Sequence, residues 1–252
     1  MQLNHKVLGA GEPIFILHGL FGMLDNWMTL AKELASSYQV ILVDQRNHGK
    51  SLHDSDISYR SMADDLRALM DELEISTGHV LGHSMGGKTA MTFADQYHDR
   101  CRSLIVVDIA PKIYAASHID IFEAILNLNL DLYSRRGEVD MALSKSIKVG
   151  AVRQFLLKNL KRTTDGFGWK ANFQSLYKGY DELLAIDPLN KSLVPALFIR
   201  GTKSNYISAT DEMMIKDIYE NVDIADINAG HWIHAEKPME LIEVLTTHLT
   251  SN

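Results

Sequence analysis

Val80-Leu81-Gly82-His83-Ser84-Met85-Gly86-Gly87 is a Gly-x-Ser-x-Gly pentapeptide set directly after a short apolar run. It is followed by Lys88-Thr89-Ala90-Met91-Thr92-Phe93-Ala94, which reads as a helix. A serine between such a strand and such a helix sits on a turn tight enough to demand glycine two residues to either side. The strain lifts the hydroxyl to the carboxyl edge of a sheet, beside helix N–H groups that can receive an anion. The strand-turn-helix setting, more than the pentapeptide, separates Ser84 from a serine in an ordinary turn.

Working outward, short apolar runs alternate with segments of helical period. Strands are expected at Ile14–Leu17, Val40–Val43, His79–Leu81, Leu104–Val107, Ala196–Ile199 and Val222–Ile227. Met62, Leu66, Leu69, Met70 and Leu73 recur at helical spacing, as do Leu241, Val244, Leu245 and Leu249. This alternation predicts an α/β fold, a mostly parallel sheet with helices on both faces. From about Lys112 to Leu189 the rhythm stops. No strand is expected there, only helical stretches such as Ile119–Leu132 and Val149–Leu160. The expected organisation is a core of residues 1–111 and 190–252 with a helical cap, 112–189, inserted in it.

Composition limits the function classes. The chain has 252 residues, enough for one α/β domain with a sizeable core, and its formal net charge of −7 argues against nucleic acid and anionic membrane surfaces as partners. No window is long and apolar enough to insert in a membrane, and Met1-Gln2-Leu3-Asn4-His5-Lys6 lacks the apolar centre of a signal peptide. The single cysteine, Cys101, excludes an internal disulfide and suits a reducing cytoplasm. Without a Gly-flanked turn or a paired base, Cys101 reads as a small packed residue.

Four further motifs accompany the serine turn: His18-Gly19-Leu20-Phe21-Gly22, Asp44-Gln45-Arg46-Asn47-His48-Gly49, Asp108-Ile109-Ala110-Pro111, and Gly230-His231-Trp232-Ile233-His234-Ala235-Glu236-Lys237-Pro238. In this order they resemble the α/β-hydrolase superfamily over nearly the whole chain, and most closely its YbfF-type acyl esterases. The resemblance implies hydrolysis of carboxylic esters and of acyl-CoA thioesters, small-molecule substrates, without cofactor. Asn47 stands where the wider superfamily often has glycine.

Ester hydrolysis needs a nucleophile, a base, an orienting acid and donors for the oxyanion. Ser84 is the candidate nucleophile and His231, on a Gly-containing loop after the last strand, the candidate base. His234 is its rival; if a helix begins there, it is a packed histidine. His18 and His83 lie inside backbone-shaping motifs and are assigned positioning roles. A metal held by His231 and His234 lacks carboxylate or cysteine partners at ligand spacing. The loop Arg200-Gly201-Thr202-Lys203-Ser204-Asn205-Tyr206, the superfamily's commoner place for the acid, holds no carboxylate, and Asp211 falls in a helix beyond it. Asp108, at the end of an earlier strand, is therefore the candidate acid; a cap at the exit of that strand is the competing reading.

The oxyanion donors are expected to be the amides of Met85 and Leu20, with Phe21 as the neighbouring possibility. The side chains of Leu20, Phe21 and Met85 are expected to line the acyl pocket. In the cap, Ile121, Phe122, Ile125, Leu126, Leu128 and Leu130 could face an acyl chain, although plain packing is favoured. Lys145, Lys148, Arg153, Lys158, Lys161 and Arg162, interleaved with Val149, Val152, Phe155, Leu156 and Leu157, could receive acyl-CoA phosphates; a solvated helix face is the favoured reading. Two other functions share the fold, a non-hydrolytic small-molecule-binding protein and a carbon–carbon bond hydrolase using the same residues.

Overall fold

The computed structural model describes residues 3–164 and 166–251; Met1 and Gln2 of the amino-terminal stretch read above lie outside them. In chain order it runs β1 (His5–Leu8), β2 (Glu12–Leu17), α1 (Met28–Leu34), β3 (Tyr38–Val43), α2 (Tyr59–Glu72), β4 (Gly78–His83), α3 (Met85–Gln96) and β5 (Cys101–Val107). There follow α4 (Ile119–Leu126), α5 (Arg136–Leu143), α6 (Gly150–Leu157), β6 (Leu160–Thr163), β7 (Gly166–Trp169), α7 (Phe173–Lys178) and α8 (Tyr180–Leu184). The chain closes with β8 (Ala196–Gly201), α9 (Ala209–Ile218), β9 (Val222–Ile227), α10 (Ile233–Glu236) and α11 (Pro238–Leu249).

Seven strands form one sheet in the order β1-β3-β2-β4-β5-β8-β9, parallel except for β1, which runs antiparallel to β3. The central strands are apolar on both faces because helices cover both. Phe15, Leu17, Ile41 and Val43 pack with Leu66, Leu69, Met70 and Phe93 on one side. Their neighbours Ile14, Ile16, Val40 and Leu42 pack with Trp27, Leu30, Leu241 and Leu245 on the other. The two-residue period of a strand sorts adjacent residues to opposite layers. Each expected strand lies inside an observed one.

Three strands lie outside the expected set. β1 is a short edge strand carrying His5 and Lys6 beside only two apolar residues, so no periodicity betrays it. Between Lys112 and Leu189, where no strand was expected, β6 and β7 form a small antiparallel hairpin. Leu160-Lys161-Arg162-Thr163 is mostly exposed and owes its shape to pairing across the turn. The expected helix Ile119–Leu132 ends at Leu126 and resumes as one tight turn at Leu130–Leu132; Val149–Leu160 shortens to Gly150–Leu157. The α4–α8 segment builds its own apolar cluster around Phe122, Leu143, Leu156 and Leu176, and this cluster closes over Phe21 and Met85. No described helix is long and apolar enough to cross a membrane.

Candidate active site

Ser84 ends β4 and precedes α3 with φ 53 and ψ −119, outside the usual range of a side-chain-bearing residue. Glycine on either side allows this: a Cβ on Gly82 would lie 2.0 Å from the Gly86 carbonyl oxygen, and one on Gly86 would lie 2.4 Å from that of Leu17. The turn is locked to the sheet by the Ser84 amide, which donates to the Val107 carbonyl at 3.1 Å. Of the five non-glycine residues with positive φ among those described, four (Phe21, Asn47, Ser84 and Asp108) belong to the motifs singled out above. Such conformations cost ~1–3 kcal/mol each and gather where geometry matters more than stability.

Asp108 follows β5, next to β4 in the sheet, and is fully buried. Its Oδ2 accepts from His231 Nδ1 at 2.7 Å and from the Ser204 hydroxyl, and its Oδ1 accepts from the Gly201 amide at 2.9 Å. The β8 loop, which holds no carboxylate, thus supplies two donors to the carboxylate that comes from β5. Tyr206 lies flat on the His231 ring, centroids 3.8 Å apart at 14°. The Nε2–H of His83 donates to the His231 carbonyl at 2.8 Å and holds that backbone in place. Asp211 turns elsewhere: it caps α9 with Ser208 and pairs with Lys112 at 2.6 Å.

His234 lies on α10, half-buried and stacked on Trp27 at 4.4 Å and 18°. Burial, with His231 nearby, pushes its pKa down to about 4. It is a packed aromatic ring on the cavity wall.

The His18–Gly22 loop is held from three sides. His18 Nε2 accepts from the Gln45 amide at 3.1 Å, so its Nδ1 carries the proton donated to the Gly19 carbonyl. His48 Nε2 accepts from the Phe21 amide at 3.2 Å, which leaves the Leu20 amide as the candidate oxyanion donor of this loop. Asn159, fully buried after α6, donates to the Phe21 carbonyl at 2.7 Å. Asn47 uses its positive φ to turn the chain as glycine would, and its side-chain oxygen also accepts from the Asp54 amide at 2.9 Å. This loop therefore braces the candidate oxyanion site as well as turning the chain.

Ser84 and His231 open into one cavity of about 420 Å³, lined also by Leu20, Phe21 and Met85. Of the six apolar cap residues considered above, Ile121 alone lines it; Phe122 and Ile125 are buried in packing. Ile109, Leu183 and Leu184 add to its apolar wall, as do Val152, Phe155 and Leu156, residues interleaved with the basic stretch. Its cations serve structure in part. Arg153 pairs with Asp140 at 2.7 Å and donates to the Ile147 and Lys148 carbonyls; Lys148 donates to the carbonyls of Ser144 and Lys145. Cys101 is packed, and burial pushes its thiol up to about 12. Among the described residues no group of three or more His, Cys, Asp or Glu side chains could hold a metal ion.

Burial of neutral histidines has a consequence for stability. The pKa values of His18, His118 and His234 are pushed down to about 4 and that of His48 to about 3. Below about pH 6.5 the unfolded chain binds protons there that the folded chain refuses, so stability falls as pH drops towards the folded values. A histidine held near 4 contributes roughly 3 kcal/mol at neutral pH that is lost over this window. Urea unfolding at pH 5 should therefore show a midpoint well below that at pH 7. Equal midpoints would mean these rings are not buried neutral.

Residues 12–238 match the model of the α/β-hydrolase fold family. The chain is 35% identical to the esterase YbfF of Escherichia coli strain K12, over 99% of both chains. It is also 35% identical to the sn-1-specific diacylglycerol lipase ABHD11 of Mus musculus, over 99% of this chain and 85% of that protein. Among solved structures, a marine microorganism esterase superposes with a TM-score of 0.95 at 40% identity, covering 98% of this chain and 99% of that one. These relatives are named for cleaving esters and support ester hydrolysis here. The chain belongs to the α/β-hydrolase family and resembles its YbfF-like esterases.

Proposed function

We propose that the protein is a serine hydrolase of carboxylic esters and acyl-CoA thioesters, with Ser84 as nucleophile, His231 as base and Asp108 as the acid that orients it. The observation that carries this reading is the 2.7 Å contact of Asp108 with His231 Nδ1, beside a cavity that His231 shares with the strained Ser84. The Ser84 hydroxyl adds to the acyl carbon and gives its proton to His231 Nε2. The carbonyl oxygen becomes an oxyanion facing the Leu20 and Met85 amides, donors fixed before the charge develops. The alcohol or thiol leaves with the proton from His231. Water then repeats the sequence on the acyl-enzyme and releases the carboxylic acid. Residues 112–189 act as a cap whose Val152, Phe155 and Leu156 shape the acyl site. The lone buried Cys101 accords with work in the cytoplasm.

The test is labelling by a fluorophosphonate together with turnover of esters and acyl-CoAs of graded chain length. Labelling with ester turnover supports the reading; binding of small molecules without either favours a non-hydrolytic protein. His234→Ala separates the two loop histidines. It should keep most of the turnover while losing roughly 1–3 kcal/mol of stability with the Trp27 stack. Loss of turnover in a folded His234→Ala protein would transfer the base role to that residue.

A further inference from the structure

Lys88 lies one helical turn past Ser84, its amide donating to the Ser84 carbonyl at 3.1 Å. The side chain is buried, 1% exposed, and still lines the cavity that Ser84 opens into. Its Nζ donates to the Leu184 carbonyl at 2.7 Å and the Ala185 carbonyl at 3.0 Å, and lies 4.9 Å from the centre of the Tyr114 ring. Tyr59 presents a second ring at 5.8 Å.

An ammonium carries three N–H donors, and two are spent on these carbonyls. Capping the end of α8 explains those two bonds. It does not explain an ionisable amine there, since a neutral amide donates to carbonyls without ever carrying a desolvated charge. No described carboxylate forms an ion pair with Lys88, and desolvation alone brings its pKa down to about 7. A buried amine without a counter-ion, on the wall of the cavity that Ser84 opens into, takes up its full charge when a ligand brings the anion.

We propose that Lys88 determines specificity on the acyl side of the cavity, selecting esters whose acyl chain ends in a carboxylate that pairs with its Nζ. This rests on the serine-hydrolase reading above and extends it to a substrate class, the half-esters of dicarboxylic acids. Lys88 follows Ser84 by one helical turn, about 6 Å of rise, so half-esters of short dicarboxylic acids are the class to probe. The products are the dicarboxylate and the free alcohol. The carboxylate meets Lys88 in ground and transition states alike, so the pairing acts mainly on KM.

The experiment compares monoethyl glutarate and monoethyl adipate with ethyl 5-methylhexanoate and ethyl 6-methylheptanoate, in which an isopropyl group replaces the carboxylate. The readout is the ratio of kcat/KM for each half-ester to that for its neutral counterpart. In the wild type the ratio should be near or above one, whereas an unanchored carboxylate in an apolar cavity would lower it by roughly 100-fold or more. In Lys88→Met the ratio should fall by roughly 30-fold or more, as when one partner of a buried charge pair is removed, with the change in KM. A low wild-type ratio, or the same ratio in wild type and variant, would reduce Lys88 to a cap on α8. The wild-type ratio decides the matter even if Lys88→Met does not fold. Turnover of neither substrate class by the wild type would overturn the hydrolase reading, and this proposal with it.

Discussion

Ser84→Ala should lower kcat for ester hydrolysis by on the order of 10⁴–10⁶ and abolish fluorophosphonate labelling, with the fold intact. The size follows from the chemistry. Without the hydroxyl no acyl-enzyme forms, and water must attack the substrate directly, with the proposed oxyanion donors and His231 still present. Stability should hold or rise slightly, because what holds the turn is the Ser84 amide bonded to Val107, the Gly82–Gly86 contact and the helix behind it. The measurement is single-turnover hydrolysis beside a thermal melt. Near-normal turnover in the verified variant would end the serine-hydrolase reading.

Asp108→Asn should cost about 10⁴ in kcat with little change of shape. An amide can still receive the Gly201 amide through its oxygen. Its NH₂, facing His231 Nδ1, would favour the tautomer with the proton on Nε2, which cannot take the proton of Ser84. Asp211→Asn, which weakens the α9 cap and the Lys112 pair and touches no atom of His231, should leave kcat within a few-fold of wild type. Kinetics of the two variants side by side check this. A silent Asp108→Asn beside a dead Asp211→Asn would refute the choice of acid.

Most of the sheet is legible in the sequence because its strands are buried on both faces and stand out as apolar runs between helical periods. β1 and the β6–β7 hairpin are illegible for the opposite reason: they are short and none of their residues is buried, so pairing rather than burial makes them strands. At the site, Ser84 announces itself through the glycines its turn requires. Asp108 was reached by elimination, from a β8 loop with no carboxylate. Ser204, Tyr206 and Asn159 carried no signal, since a polar residue on a loop has no period and each acts on a partner remote in the chain. Lys88 was visible only as part of a helix. Its interest lies in what surrounds the Nζ, which no spacing encodes.

The adjacency of β4 and β5 bears on how such a chain can diversify. Ser84 and Asp108 end neighbouring strands, and both precede the α4–α8 segment. Had the carboxylate come from the β8 loop, every insertion or deletion in that segment would fall between the proposed nucleophile and the proposed acid. Here both are encoded upstream of that segment, and His231 follows β9, which lies parallel to β8 beside β5. The segment proposed to shape the acyl site can lengthen, shorten or be exchanged while the two groups stay at the ends of one paired set of strands. New substrate ranges are then open to this scaffold without rebuilding its chemistry.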